Sequence, residues 1–243
     1  GGTVVHINSG VGGLVAAIML GKRRGVGSES LAPHNLSLSL IGAALMWVGW
    51  FGFNAGSSLT AGGSAGYAML TTHVAASAGI IAWVGCEWVF HRRPSLLGGI
   101  SGAVAGLVAI TPGCGFVSVA SAVVIGLCGG FVGYLGVGVI KRAFKYDDAL
   151  DSFGVHGVVG VVGAILTGIF AVSRIGGVGK SGLIDGHYAQ ILVQIEGVAV
   201  TVIWSALVSF ILLKFIDRIM GLRVTAEDES MGLDLALHGE TMR

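Results

Sequence analysis

Long apolar stretches, separated by short polar connections, dominate the pattern along this chain. Within them apolar and polar residues do not alternate, which argues against membrane strands. A helix needs about 20 mostly apolar residues to span a bilayer. The pattern therefore predicts seven transmembrane segments, the fourth short and glycine-rich, with residues 1–217 as a transmembrane domain and 218–243 as a tail. The segments lie at about 1–20, 36–56, 66–90, 96–111, 117–140, 151–173 and 188–215.

Composition agrees with a chain that lies mostly in lipid. Hydrophobic residues make up 53% and charged residues only 11%, whereas an ordinary soluble domain is about one-quarter charged. The 43 glycines indicate helices that pack closely in a membrane. The three cysteines, Cys86, Cys114 and Cys128, lack metal-site spacing and read as small packing residues. We predict an all-α polytopic membrane protein without metal, cofactor, nucleic-acid partner or enzyme activity.

The basic residues predict the orientation. Twelve of the 14 lysines and arginines fall on one side if the seven segments alternate in direction. Cytoplasmic connections are enriched in lysine and arginine, so this side is predicted to be cytoplasmic, in a plasma or inner membrane. The N-terminus is then outside and the C-terminus inside. The twelve are Lys22, Arg23, Arg24, Arg92, Arg93, Lys141, Arg142, Lys145, Lys214, Arg218, Arg223 and Arg243.

Two histidines, His6 and His156, lie within the first and sixth segments in matching surroundings. The first sequence is Val5-His6-Ile7-Asn8-Ser9-Gly10-Val11-Gly12-Gly13, and the second is Val155-His156-Gly157-Val158-Val159-Gly160-Val161-Val162-Gly163. Glycines at +4 and +7 share the histidine face, where another backbone can approach. One motif on oppositely directed helices is typical of inverted-repeat transporters, whose site lies near the midplane. We predict a central histidine pair; the alternative is two separately packed imidazoles.

The second segment carries aromatic and hydroxyl side chains on one face. Trp50, Phe53 and Ser57 follow helical spacing of +3 and +4. Aromatic residues often lie at the membrane boundary facing lipid, which is the alternative here. The neighbouring Gly49, Gly52 and Gly56 favour burial among helices, where this face could attract a small cation.

The motifs carry a resemblance to the Amt/Mep/Rh ammonium transporter family, nearest its bacterial and archaeal Amt branch. The resemblance runs in order through the whole chain. It rests on Gly1-Gly2-Thr3-Val4-Val5-His6, on Gly49-Trp50-Phe51-Gly52-Phe53-Asn54-Ala55-Gly56-Ser57, on Asp151-Ser152-Phe153-Gly154-Val155-His156-Gly157, and on the tail motifs Gly232-Leu233-Asp234 and His238-Gly239-Glu240.

The resemblance implies a homotrimer of eleven-helix inverted-repeat bundles, each with its own pore for ammonium or ammonia in nitrogen uptake. His6 and His156 match the twin pore histidines, Phe53 a gate phenylalanine, Trp50 a pore-lining tryptophan and Ser57 an outer ammonium-recruiting hydroxyl. Asp151 matches a carboxylate at the cytoplasmic pore end. The tail, including Gly232, Asp234, His238 and Gly239, resembles a regulatory segment near the docking site of PII-type signal proteins.

The resemblance also predicts that this sequence corresponds to helices five to eleven, the C-terminal portion of such a protein. The family's acidic residue before the first Gly-Gly and its first four helices have no counterpart in the sequence, nor has the second gate phenylalanine.

Two other functions are considered. An ammonium sensor on the transporter fold would keep the same motifs. A seven-helix receptor or light-driven pump would match the segment count, but a retinal-type pump needs a lysine in mid-membrane, and the last segment offers only Lys214 at its inner end. The run from Gly176 to Ser181 looks like a phosphate loop, but the first glycine of that motif is replaced by Arg174.

Overall fold

A computed structural model describes residues 2–29 and 31–241. Gly1, Ser30, Met242 and Arg243 lie outside the described residues. The first residue of the first predicted segment, and Arg243 from the predicted cytoplasmic set, are therefore not described.

The described residues form an all-α structure without a β-strand, and this confirms the predicted fold class. Six helices are long and apolar enough to cross a membrane. A seventh helix, the fourth in chain order, has 15 residues and is shorter than the roughly 20 that a full span needs. The seven helices are α1 (Thr3–Leu20), α2 (Leu36–Gly56), α3 (Gly63–His91), α4 (Leu96–Ile110), α5 (Val119–Phe144), α6 (Phe153–Phe170) and α7 (Ala189–Met220).

The ends of several helices differ from the apolar stretches in the sequence. α5 continues to Phe144 and α7 to Met220, beyond the predicted ends at about 140 and 215. Both extensions carry basic side chains, whose stems can lie along apolar surface while the charge reaches water. The tail beyond α7 contains a short helix, α8 (Ala226–Met231), and a π-helical turn, Asp234–His238.

Side-chain caps decide where three of the helices begin. The Asn35 side chain accepts a hydrogen bond from the Leu38 N–H at 2.9 Å, and Ser95 and Ser118 cap α4 and α5 in the same way. Each cap satisfies a backbone donor that the first helical turn leaves without a partner.

The centre of the bundle is a tightly packed group of α3, α4 and α5. A Cβ on Gly106 or on Gly126 would overlap the carbonyl of Ala75, and a Cβ on Gly79 would overlap the carbonyl of Gly102. Small residues let membrane helices approach at backbone distance, where dispersion contacts and not the hydrophobic effect hold them together. The high glycine content therefore supports this core directly.

α1 and α6 cross in opposite directions. Gly13 lies beside Ser152, Gly10 against Gly157, and Gly160 against Ile7, so positions rise along one helix as they fall along the other. Both helices begin with a π-helical segment, Thr3–Ile7 in α1 and Phe153–Val158 in α6. The repeated motif of the sequence is therefore repeated in local conformation as well.

α7 covers one side of this crossing. The Ser205 hydroxyl donates to the carbonyl of Asn8 at 3.1 Å, and Gln194 packs on Gly168. The outer surfaces of α2 and α7 expose large apolar side chains such as Val48 and Trp204, each 65% exposed. A soluble monomer does not leave surfaces of this kind uncovered, so they suit lipid or further helices.

We predict that Gly10→Ala destabilises the protein, because the new methyl group would overlap the backbone of α6 at Gly157. Overpacking of a close contact costs about 1–3 kcal/mol, so the midpoint of thermal unfolding in detergent should fall. The matched control is Gly85→Ala in α3, where a Cβ meets nothing within 4 Å. Alanine there should hold or slightly raise the midpoint. Equal midpoints for the two variants would contradict the contact.

Candidate functional site

The crossing of α1 and α6 brings the two predicted histidines together. The Nδ1 atoms of His6 and His156 are 3.4 Å apart, and the ring centroids are 5.5 Å apart. Both imidazoles project from the π-helical segments, a conformation that is rare and frequent at functional sites. His6 is only 3% exposed, whereas His156 is half-buried. The pair is therefore sealed on the His6 side and accessible from the other.

The face of α2 predicted from the sequence forms an aromatic wall beside His6. The Trp50 ring is stacked on the imidazole with centroids 5.2 Å apart, and the Phe53 ring lies 6.1 Å away. Next to these rings is a cavity of about 370 Å³. Its lining is almost entirely apolar, with the imidazoles among its few polar groups; it consists of Val5, His6, Ser9, Met46, Gly49, Trp50, Phe53 and His156.

Ser57 is not part of this lining. Its hydroxyl donates to the carbonyl of Phe53 at 2.7 Å, and the residue is exposed one turn beyond the aromatic wall. The structure thus places four of the five predicted pore residues around one cavity and leaves the fifth at the end of α2.

Thr111 is a site residue that the sequence analysis missed. Its hydroxyl lies 3.1 Å from Nε2 of His6 and accepts a hydrogen bond from Nε1 of Trp50 at 3.0 Å. Thr111 directly follows α4 with helical backbone angles, and its hydroxyl donates to the Leu107 carbonyl one turn earlier. A threonine before a proline at the end of a short apolar segment was the available signal.

Asp151 lies where α6 begins, together with a second carboxylate that the sequence analysis did not select. Lys141 forms an ion pair with Asp151 at 2.6 Å and donates to the Asp148 carbonyl. Asp148 is buried, and its carboxylate accepts from the Phe153 N–H at 2.7 Å. Burial raises the pKa of the Asp151 carboxyl, although the neighbouring Lys141 opposes the shift. These contacts fix the first turn of α6, which carries His156.

The predicted regulatory tail contacts the pore helices through residues outside the predicted set. Gly232 and Gly239 have positive φ angles of 94° and 67°, and Asp234 and His238 bound the π-helical turn. The direct contact with α1 comes from Arg223, which donates to the Leu20 carbonyl at 3.0 Å, and the link to the connection after α1 comes from Glu229. Its carboxylate accepts from the Arg24 N–H at 2.9 Å and from the Arg223 guanidinium at 2.7 Å.

A second ion pair holds the connection that follows α1. The guanidinium of Arg23 binds the Asp147 carboxylate at 2.7 Å, and the Arg23 N–H donates to it as well. Hydrogen bonds from Arg23 hold the pKa of Asp147 below its usual range, and those from Arg24 and Arg223 do the same for Glu229. The end of α1 is thus tied both to the connection before α6 and to the tail.

The chemistry that this arrangement can perform is limited. Within residues 2–29 and 31–241, no group of three or more His, Cys, Asp and Glu side chains is placed to hold a metal ion. The site offers two imidazoles at the wall of an apolar cavity lined by aromatic rings. Such a site suits a small solute that can donate hydrogen bonds and interact with π faces.

Comparison with known proteins gives a consistent family. The model of the Ammonium Transporter Family matches residues 1–243. An ammonium transporter of Bacillus subtilis (strain 168) is 49% identical over 240 residues, which cover 99% of this chain and 59% of that protein. The crystal structure of Saccharomyces cerevisiae Mep2 aligns with a TM-score of 0.86 and 37% identity, over 93% of this chain and 53% of that one.

A third match is a solved structure entitled Sensor Amt Protein. It has a TM-score of 0.88 and 33% identity, and covers 98% of this chain and 59% of that one. The chain therefore spans between half and three-fifths of the length of these three proteins.

We predict that Glu229→Gln loosens the tail, because the amide has one acceptor oxygen in place of two and lacks the negative charge that pairs with Arg223. Backbone amides of α8 should exchange hydrogen several-fold faster, as followed by mass spectrometry. Glu227→Gln changes the same charge two residues away, on a side chain outside this contact, and should leave exchange unchanged. Equal effects of both substitutions would assign the result to net charge alone.

We also predict that acid releases the same contact. A carboxyl group whose pKa is lowered by folding stabilises the structure above its ordinary pKa of about 4. That contribution is lost as the pH falls through the lower value of the folded state, here for Glu229. Exchange in α8, corrected for the intrinsic rate, should therefore be flat from pH 7 to 5 and rise below about pH 4. Release between pH 5 and 7 would contradict the assignment.

Proposed function

The chain belongs to the ammonium transporter family, and we propose that it serves to carry ammonium or ammonia across a membrane. One observation carries the proposal: the imidazole pair of His6 and His156 lines an apolar cavity with an aromatic wall. The chain spans 59% of the length of the Bacillus relative, so this is a proposal for the protein to which these helices contribute.

The first step that we propose is recruitment of the cation at the end of α2. Ammonium is small and strongly hydrated, and moving it without its water into an apolar space is expensive. The face of an aromatic ring partly replaces that water by cation–π attraction, and Phe53 and Trp50 offer two rings whose centroids are 5.8 Å apart. The exposed hydroxyl of Ser57, one turn away, can accept a further hydrogen bond from the cation.

The second step that we propose is transfer of a proton from ammonium to solvent water at the open end of the cavity, after which neutral ammonia passes the histidines. Ammonia carries no charge and crosses an apolar cavity at a far lower cost than ammonium. A neutral imidazole can donate from one ring nitrogen and accept at the other, so the pair of His6 and His156 can receive the molecule through hydrogen bonds without adding a charge. Potassium cannot give up a proton, and this difference provides selectivity against an ion of the same charge.

We further propose that the side with twelve basic residues is cytoplasmic. Two of the four groups of predicted basic residues meet at one cavity, the first through Lys22 and the third through Lys141, Arg142 and Lys145; His91 at the end of α3 also lines it. That clustering supports a common side for these connections, and such a side is normally cytoplasmic. In this orientation the tail and Asp151 face the cytoplasm, where a PII-type signal protein could dock. The homotrimer implied by the family resemblance belongs to the same proposal.

A sensor is the second candidate function. The observation that favours it is the likeness to the structure entitled Sensor Amt Protein, at a TM-score of 0.88. A sensor would bind ammonium at the same aromatic wall without passing it. Family membership leaves the receptor or light-driven pump without support.

We predict that His6→Ala removes the discrimination between ammonium and potassium in proteoliposomes of the complete protein. Loss of a buried hydrogen-bonding partner costs about 1–3 kcal/mol, which corresponds to roughly 5–150-fold in selectivity. Ammonium flux would be followed as a change of internal pH, and potassium flux with an ion-sensitive dye.

The matched control is His73→Ala. His73 packs against Trp47 and Phe51 on the outer side of α2 and α3, away from the pair, and its loss should leave selectivity unchanged. Unchanged selectivity in His6→Ala would overturn the role of the pair. Wild-type flux no faster than in protein-free vesicles, with ammonium still bound, would favour the sensor.

A further inference from the structure

The hydroxyl group of Thr111 has three polar neighbours. Its oxygen is 2.7 Å from the Leu107 carbonyl oxygen, 3.0 Å from Nε1 of Trp50 and 3.1 Å from Nε2 of His6. Thr111 is 8% exposed, Trp50 8% and His6 3%. A hydroxyl group has one hydrogen to donate and two lone pairs with which to accept. The three neighbours therefore account for its donor and for both of its acceptor positions.

The distances assign the roles. Two oxygen atoms come within 2.7 Å only when a hydrogen lies between them, and a carbonyl has none, so Thr111 donates to Leu107. The indole N–H of Trp50 can only donate. The hydrogen of the hydroxyl is therefore already used, and Nε2 of His6 must donate to the remaining lone pair. His6 carries its proton on Nε2.

The tautomer of His6 determines the tautomer of His156. A neutral imidazole protonated on Nε2 has an acceptor at Nδ1. Nδ1 of His6 faces Nδ1 of His156 at 3.4 Å, and two acceptors in contact would repel each other. His156 must therefore carry its proton on Nδ1, which leaves its Nε2 as an acceptor.

We propose that Thr111 is a positioning residue that fixes the tautomers of both histidines and so gives the pair a direction. The ordered series runs from His156 to His6 to Thr111 to Leu107, each member donating to the next. Both nitrogens of His6 are engaged. Nε2 of His156 is the acceptor that the pair leaves open to a passing solute.

The consequence for transport rests on the proposed function, although the tautomers themselves do not. Ammonium and ammonia both have N–H groups to donate. A pair of fixed direction receives such a donor at one atom, Nε2 of His156, and avoids rearranging protons on both rings for each molecule. A solute without an N–H or O–H group has no equivalent contact.

The test is ¹⁵N nuclear magnetic resonance of the complete protein in lipid, with ¹⁵N-labelled histidine. Protonated and bare ring nitrogens resonate in well-separated ranges, and signals would be assigned by replacing each histidine in turn with glutamine. We expect a protonated Nε2 and bare Nδ1 for His6, and the reverse for His156. A wild-type spectrum with the proton of His6 on Nδ1 would overturn the inference without any variant.

Substitutions of Thr111 separate the hydroxyl from the shape of the side chain. Thr111→Val keeps the branched shape and removes the hydroxyl, so the fixed pattern should be lost and a mixture of tautomers should appear in both histidines. Thr111→Ser keeps the hydroxyl and should restore the wild-type pattern. Trp50→Phe disturbs the packing and leaves the Thr111 donation to Leu107 in place, so it should leave the tautomers unchanged.

A Thr111→Val spectrum identical to wild type would overturn the proposal. The flux assay separates this inference from the proposed function. Ammonium flux with the wrong tautomers would overturn the inference alone. The expected tautomers without flux would uphold the inference and overturn transport.

Discussion

The approach of α1 to α6 at backbone distance is the contact on which the site depends. Gly10 lies against Gly157, and Gly160 lies against the base of His6 and Ile7, so the glycine of each motif receives the segment that bears the other histidine. Side chains at these positions would push the helices apart and separate the imidazoles. The histidine pair is therefore a consequence of helix packing, and α7, α4 and α5 matter to it because they hold α1 and α6 in this crossing.

Polar groups inside the bundle are few, and almost all of them are paired. Among the described residues, the indole nitrogen of Trp47 is the single fully buried side-chain polar atom without a partner. The hydroxyls of Thr71 and Thr72 donate to backbone carbonyls, and the Asn54 amide donates to the Thr72 hydroxyl at 3.0 Å. In an apolar medium a polar group without a partner is costly, so the pairing of His6 with Thr111 follows the rule of the whole interior. His156, half-buried beside the cavity, is the polar group left available to a solute.

Much of the fold was predictable from the sequence, because a helix that spans lipid needs a long apolar run. Apolar runs gave the positions of seven helices, and the repeated Val-His pattern with its glycines gave the pairing of α1 and α6. Thr111, Asp148 and Glu229 were not predictable in this way, since each acts through a partner more than a hundred residues away or through a turn of unusual conformation. Asp151 has a φ of 55°, and the periodicity of apolar residues does not indicate such a turn. Ser57 shows the opposite case: its helical spacing was right, yet its hydroxyl binds its own helix at Phe53.

The π-helical segments at Thr3–Ile7 and Phe153–Val158 make the number of residues in each motif a constraint in its own right. A π turn holds one residue more than the α-helix around it. Deleting one residue there would close the turn to a regular α-helix, which would leave the flanking turns nearly in register and change the direction of the side chains inside the turn. Each histidine would leave the shared face while every side chain of the motif was retained. Among related proteins, insertions and deletions in these two turns should therefore be rarer than substitutions, because no exchange of side chains can restore the direction of the histidine.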